Sequence, residues 1–150
     1  MLTKRDLLIA AGTAGLVFSV MSFGQADKKL MPSAVFDWNA IEVKQTKTGA
    51  SRDFFKAPTA TTDQLECHVT TVNAGEASHA AHRHPEEELI IVKDGTIEST
   101  QNGVVKKAGP GSIIFEGSND LHGLRNAGTT PATYYVIKWF SPGTLKGKTE

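Results

Sequence analysis

Short runs of β-branched residues separated by glycines constrain the fold of this chain more than any other feature. After the first 26 residues the sequence is rich in Val, Ile and Thr, and no long stretch repeats its apolar residues with the period of a helix. Asn102-Gly103 lies between two such runs, residues 96–100 and 104–107, which is the strongest local signal for a β-hairpin. The pattern predicts an all-β domain.

The first 26 residues are typical of an export signal. A basic start at Lys4-Arg5 is followed by an apolar run and by small residues at 24–26, where cleavage is expected. Residues 3–8 are similar to a twin-arginine signal with Lys4 in place of the first arginine, so the twin-arginine and the general secretory routes both stay open. We expect a periplasmic or secreted protein that meets a membrane only during export, with an uncleaved anchor as the alternative.

The remaining sequence has the length of one domain and divides into three segments. Residues 27–64 form a linker and N-terminal strands, with strand-like alternation at 35–38 and 41–43 and a polar loop at 44–51. The other predicted strands fall within residues 65–140. Residues 141–150 contain too few apolar side chains to be anchored and are expected to be a flexible tail.

The charge balance and the single cysteine exclude two kinds of chemistry. The chain has 16 basic and 16 acidic residues, and a near-neutral domain has no electrostatic footprint for nucleic acid. Cys67 cannot form an internal disulfide, and we interpret it as a small buried strand residue rather than a reactive thiol.

The segment from Gly75 to Gly95 concentrates the candidate ligands. His82 and His84 are two positions apart, so on a β-strand both side chains leave the same face. Pro85 predicts a bend, after which Glu88 opens an apolar strand and can face back toward the imidazoles. Two imidazoles and a carboxylate on a rigid sheet are typical ligands of a transition-metal ion.

Three neighbouring residues leave alternatives open. If the turn after Pro85 forms differently, Glu86 or Glu87 replaces Glu88 as the carboxylate ligand. His79 is three residues before His82 and is a candidate for a group that supports the ligands or exchanges protons. His68 is interpreted as an ordinary strand histidine.

These residues resemble the two sequence motifs of the cupin family. The first motif is matched from His82 through Glu88 to Gly95, and its lead-in from Gly75 has six variable residues where the family has five. The second motif keeps its spacing from Gly111 to Asn126, including His122. Gly117 stands where the family has proline and Asn119 where it has glycine.

The resemblance implies a double-stranded β-helix, or jelly-roll, barrel with a metal ion inside. The family's four metal ligands fall on His82, His84, Glu88 and His122, and members of the family bind iron, manganese, nickel, copper or zinc there. The resemblance also implies a homodimer whose subunits cover each other's open edges. A dioxygenase-type enzyme acting on a small organic molecule is the expected function. A redox-neutral isomerase, decarboxylase or hydrolase and a non-catalytic small-molecule-binding protein are the alternatives.

Overall fold

The computed structural model describes residues 29–141, which form nine β-strands and one short 3-10 helix. The all-β prediction is confirmed. The predicted export signal and residues 142–150 of the predicted tail lie outside the described part. Within that part no helix is long and apolar enough to cross a membrane. The strands are β1 Lys44–Thr46, β2 Gly49–Ala57, β3 Gln64–Val72, β4 Glu87–Asp94, β5 Ile97–Gln101, β6 Val104–Ala108, β7 Ile113–Glu116, β8 His122–Asn126 and β9 Ala132–Phe140.

The strands form two antiparallel sheets. One has six strands in the order β1-β2-β3-β9-β4-β7, and the other has three in the order β6-β5-β8. Ile97 and Leu124 of the smaller sheet belong to the same buried cluster as Ile90 and Val136 of the larger one. The two sheets therefore pack face to face, and alternate residues of each strand fill the space between them. The cluster contains Val72, Ile90, Val92, Ile97, Ile114, Leu124, Ala132, Tyr134 and Val136.

The hairpin predicted at Asn102-Gly103 connects β5 and β6. Asn102 has φ 47° and Gly103 has φ 85°, and two consecutive positive φ values are those of a type I′ turn, whose twist matches that of the flanking strands. The hairpin is also tied to the loop that precedes β8, because Asn102 Oδ1 accepts a 3.0 Å hydrogen bond from the backbone N–H of Leu121.

The predictions for residues 35–51 were wrong. Residues 35–37 and 42–43 are irregular, and Trp38–Ala40 is the 3-10 helix. The Trp38 ring packs on the outer face of the larger sheet, with its centroid 6.1 Å from that of Tyr135. The apolar residues at 35–38 therefore reflect packing on the surface of the sheet rather than a strand. The predicted polar loop is instead the β1–β2 hairpin. All residues of β1 are exposed, and an edge strand that faces solvent shows no apolar pattern.

Candidate metal centre

Three imidazoles meet at one end of the interior. His82 pairs with His122, which begins β8, through hydrogen bonds between their backbone N–H and C=O groups of 2.9 and 3.0 Å. This pair is an isolated bridge, so the structure places His82 and His84 on an extended loop rather than on the predicted strand. The extended backbone still directs both rings to one side. The ring centroid of His122 lies 4.8 Å from that of His82 and 4.7 Å from that of His84.

Glu88 approaches this cluster from β4. The chain bends at Pro85, as predicted, and Glu88 Oε1 then lies 3.1 Å from His84 Nε2. The two alternative carboxylates have other contacts. Glu87 accepts a 2.9 Å hydrogen bond from Trp139 Nε1, and Glu86 Oε2 lies 3.4 Å from Nδ1 of His84, the nitrogen on the other side of that ring. The geometry therefore favours Glu88 over both.

The unpaired nitrogens of the imidazoles fit a metal ion. Nδ1 of His84 lies 3.1 Å from the carbonyl oxygen of Glu86, and Nδ1 of His122 lies 2.8 Å from that of Asp120. A carbonyl only accepts, so each Nδ1 carries the proton and each Nε2 presents a lone pair. Nε2 of His84 lies 3.1 Å from Glu88 Oε1 and Nε2 of His122 lies 3.2 Å from Glu116 Oε2, so each lone pair faces a carboxylate oxygen. Nδ1 of His82 is buried without a hydrogen-bond partner. Such an atom costs about 1–3 kcal/mol when it remains unsatisfied, and metal coordination satisfies it.

Glu116 also belongs to this cluster, although the sequence analysis did not single it out. It ends β7 directly opposite Glu88 on β4, and only 2% of its surface is exposed. Its Oε2 lies 3.2 Å from His122 Nε2. The ligand atoms of His82, His84 and His122 lie within 4.8 Å of one another, as do those of Glu88, Glu116 and His122. The sequence carried no signal for it, because only the structure shows that Ile114 and Glu116 of β7 are buried while Ile113 and Phe115 are exposed.

Burial and the charges of neighbouring groups shift the pKa values of the residues in the cluster. Burial lowers the pKa values of His82 and His122, and the neighbouring imidazoles add to this effect. The Glu88 carboxylate raises the pKa of His84 against the effect of burial. Burial opposes ionisation of Glu88, but His84 and Lys138 outweigh it and lower the pKa of this carboxyl. Burial, reinforced by the charge of Glu88, raises the pKa of Glu116 to about 8.

The loops of the two motifs are tied together by hydrogen bonds. The backbone N–H of Asn119 donates to the carbonyl oxygen of His84 at 2.8 Å, and Arg83 Nη1 donates to the carbonyl oxygen of Asn119 at 2.7 Å. Ser118 Oγ donates to the carbonyl oxygen of Pro85 at 2.7 Å. Asn119 has φ 62°, so asparagine adopts the left-handed turn at the position of the family's glycine. These hydrogen bonds hold the turn in place, although Gly117 stands at the position where the family has proline.

Asn126, the last residue of the second motif, is structural. Its side chain is fully buried and donates to the carbonyl oxygens of Val72 and Thr130 at 2.9 and 2.8 Å. Its Oδ1 accepts the backbone N–H of Gly128 at 2.9 Å. The side chain thus satisfies three backbone groups in loops that flank the barrel.

A small cavity of about 250 Å³ opens next to the imidazoles. His79 is exposed at its mouth, with its ring edge-on to His82 at 4.4 Å between centroids. Lys138 Nζ lies 3.8 Å from Glu88 Oε1. His68 is in β3, as expected, but it also lines the cavity, which strand parity did not reveal. The cavity is lined by His68, Thr70, Ser78, His79, His82, Glu88, Glu116, His122, Leu124, Tyr134, Val136 and Lys138.

The segment that contains these residues matches a known family of domains. Residues 68–138 match the profile of the cupin domain, a span that includes all four predicted ligands. The chain folds as a cupin barrel. The predicted jelly-roll architecture is thereby confirmed, with β1 and β2 extending the larger sheet beyond the residues that match the cupin domain.

Solved structures have the same fold at low sequence identity. An RmlC-like cupin from Shewanella frigidimarina is 16% identical with a TM-score of 0.60, covering 74% of this chain and 95% of that one. KdgF from Halomonas sp. is 12% identical with a TM-score of 0.61, covering 75% and 97%. The polyketide cyclase RemF from Streptomyces resistomycificus is 16% identical with a TM-score of 0.60, covering 80% and 84%. No curated protein gives a significant match. At these identities the likeness shows the fold alone.

Proposed function

We propose that this cupin binds one divalent transition-metal ion through His82, His84, Glu88 and His122 and is a metal-dependent enzyme acting on a small organic molecule. The observation that carries the proposal is the pair of buried Nε2 lone pairs of His84 and His122, which face the carboxylate oxygens of Glu88 and Glu116 at 3.1 and 3.2 Å. Neutral imidazoles with a carboxylate suit iron, manganese, nickel, copper or zinc. The backbone carbonyls that accept from each Nδ1 hold the rings in the ligating tautomer, as partners of metal-binding histidines commonly do.

The cavity limits what the enzyme can accept. A volume of about 250 Å³ is below the roughly 300–1,000 Å³ of sites that hold drug-sized ligands. The Lys138 side chain is 21% exposed, lines the cavity and can pair with an anionic group of the substrate. A bound metal would supply Lewis-acid or dioxygen chemistry at its open positions. These features support a small organic acid or phenol as the substrate.

A dioxygenase-type reaction is the first candidate, because a carboxylate and imidazoles that leave coordination positions open are typical of non-haem iron sites. Iron-loaded protein should consume oxygen with at least one member of a panel of small organic acids and phenols. The absence of oxygen uptake across the panel, in protein with demonstrated iron occupancy, would contradict this reaction.

Redox-neutral chemistry is the second candidate. His68, His79 and Lys138 line the same cavity and are groups that can transfer protons. Isomerisation, decarboxylation or hydrolysis that persists with zinc and without oxygen would select this candidate. Retention of a small molecule without its conversion would instead identify a non-catalytic binding protein.

A homodimer is proposed from the edge strand β7. Ile113 and Phe115, on the outer face of that strand, are 65% and 53% exposed. An exposed apolar edge is normally covered by a partner, and a second copy of the chain is the simplest one. Size-exclusion chromatography with light scattering should give twice the chain mass for the wild type and the monomer mass for Phe115→Asp. A monomeric wild type would refute the dimer.

The proposed location is the periplasm or the medium, on the basis of the export signal predicted at residues 1–26. The test is fractionation of cells that express the full chain, followed by determination of the N-terminal residue. Protein in the cytoplasm with its N-terminus intact would contradict this proposal.

A further inference from the structure

Two carboxylates face each other inside the barrel next to His122. Glu88 and Glu116 are direct cross-strand partners on β4 and β7, and their positions share the face of the sheet that carries Ile90 and Ile114. The Glu116 side chain is 1% exposed, and its one charged neighbour at ion-pair distance among the described residues is His122. Both of its oxygens lack a hydrogen-bond partner.

When both carboxyl groups are ionised, this pairing is unfavourable unless a cation lies between them. Like charges directly opposite on neighbouring strands repel, and a buried carboxylate without partners is costly. Among the described residues no lysine lies at ion-pair distance from Glu116 to balance its charge. Lys138, which lines the same cavity, pairs with Glu88 instead. The ligand atoms of Glu88, Glu116 and His122 lie within 4.8 Å of one another. A single ion can therefore contact both carboxylates and His122, the imidazole that this group shares with His82 and His84.

We propose that Glu116 is a fifth protein ligand of the metal ion, beside the three imidazoles and Glu88. This inference rests on the proposed function, and it adds a ligand at a variable position of the second motif. Two carboxylates balance the charge of a divalent ion. Five protein donors favour metals that accept six ligands, such as manganese, iron or nickel, over zinc, which prefers four. They also leave a single coordination position for a substrate or oxygen atom.

Cobalt(II) distinguishes a ligand from a neighbour that does not touch the metal, because its visible absorption strengthens as its coordination number falls. The full chain is titrated with Co²⁺ as wild type, Glu116→Leu, Glu116→Gln and Glu87→Gln. Leucine fills the space without offering an oxygen atom. Glu87 adjoins Glu88 on the opposite face of β4, and an amide there can still accept from Trp139, so Glu87→Gln is the matched control.

We expect weak absorption from the wild type and from Glu87→Gln, stronger absorption from Glu116→Leu, and a loss of affinity of about tenfold or more for both Glu116 variants. Groups that only touch ligands can also cost about 10–100-fold in affinity, so the spectrum is the deciding readout. A Glu116→Leu spectrum identical to that of the wild type would overturn the inference and leave the four-ligand proposal standing. If the wild type does not bind Co²⁺ or any other divalent transition metal, the proposed function itself fails.

Discussion

Replacing Glu116 by glutamine should stabilise the metal-free protein at neutral and alkaline pH. The pKa of this carboxyl is raised from 4.5 to about 8 in the folded state, so the folded chain binds the proton more tightly than the unfolded chain does. The stabilising contribution of that proton is complete below pH 4.5 and is lost as the pH rises toward 8. Across this window the loss is about 1.4 kcal/mol per pH unit, or roughly 3–5 kcal/mol in total. Glutamine keeps the shape and never ionises.

The assay is urea unfolding of chelator-treated wild type, Glu116→Gln and Glu87→Gln at pH 5, 6, 7 and 8. The free energy of unfolding of Glu116→Gln minus that of the wild type should increase steadily with pH, while the corresponding difference for Glu87→Gln stays flat. A difference for Glu116→Gln that does not change with pH would refute the reasoning, because it would mean that Glu116 is ionised in the folded protein throughout or titrates normally.

Other predictions concern the same end of the barrel. With saturating divalent metal the stability advantage of Glu116→Gln over the wild type should shrink, by about 1.4 kcal/mol for each tenfold by which its metal affinity is lower, since ligand binding stabilises the folded state with the logarithm of affinity. Metal affinity, measured by competition with a chelator, should fall on acidification from about pH 8 downward, because Glu116, whose pKa is raised to about 8, and His84, whose pKa is also raised, must lose their protons to bind. Asn126→Ala should lower the free energy of unfolding by roughly 2–4 kcal/mol, since it leaves buried backbone groups unpaired. Asn119→Gly should be nearly neutral in the same assay, whereas Asn119→Ala should cost about 1 kcal/mol through strain at positive φ.

The predictions succeeded where burial in the core itself produces the apolar pattern in the sequence. β9, Ala132–Phe140, lies within the range predicted to form strands, because its alternate side chains fill the core. The spacing of His82, His84 and Glu88 predicted a common site, and the resemblance to the cupin motifs added His122. The structure brings these four residues together. Their role as ligands stays a prediction.

The predictions failed where local sequence does not determine which face is buried. The polar residues of β1 form an edge strand without apolar alternation. In the sequence, Glu116 is followed directly by the turn residues Gly117 and Ser118. Only the pairing of β7 with β4 shows that it faces Glu88. His68 resembles any strand histidine until strand pairing shows which face of β3 lines the cavity.

Elemental analysis tests the central claim most directly. The wild-type full chain and a His82→Ala/His84→Ala variant are purified without added metal and analysed for iron, manganese, nickel, copper and zinc. We predict about one equivalent of a single metal per wild-type chain and none in the variant, with both proteins showing the same β-rich circular dichroism. A wild type that contains no metal, even after reconstitution with each ion, would contradict the proposed metal centre.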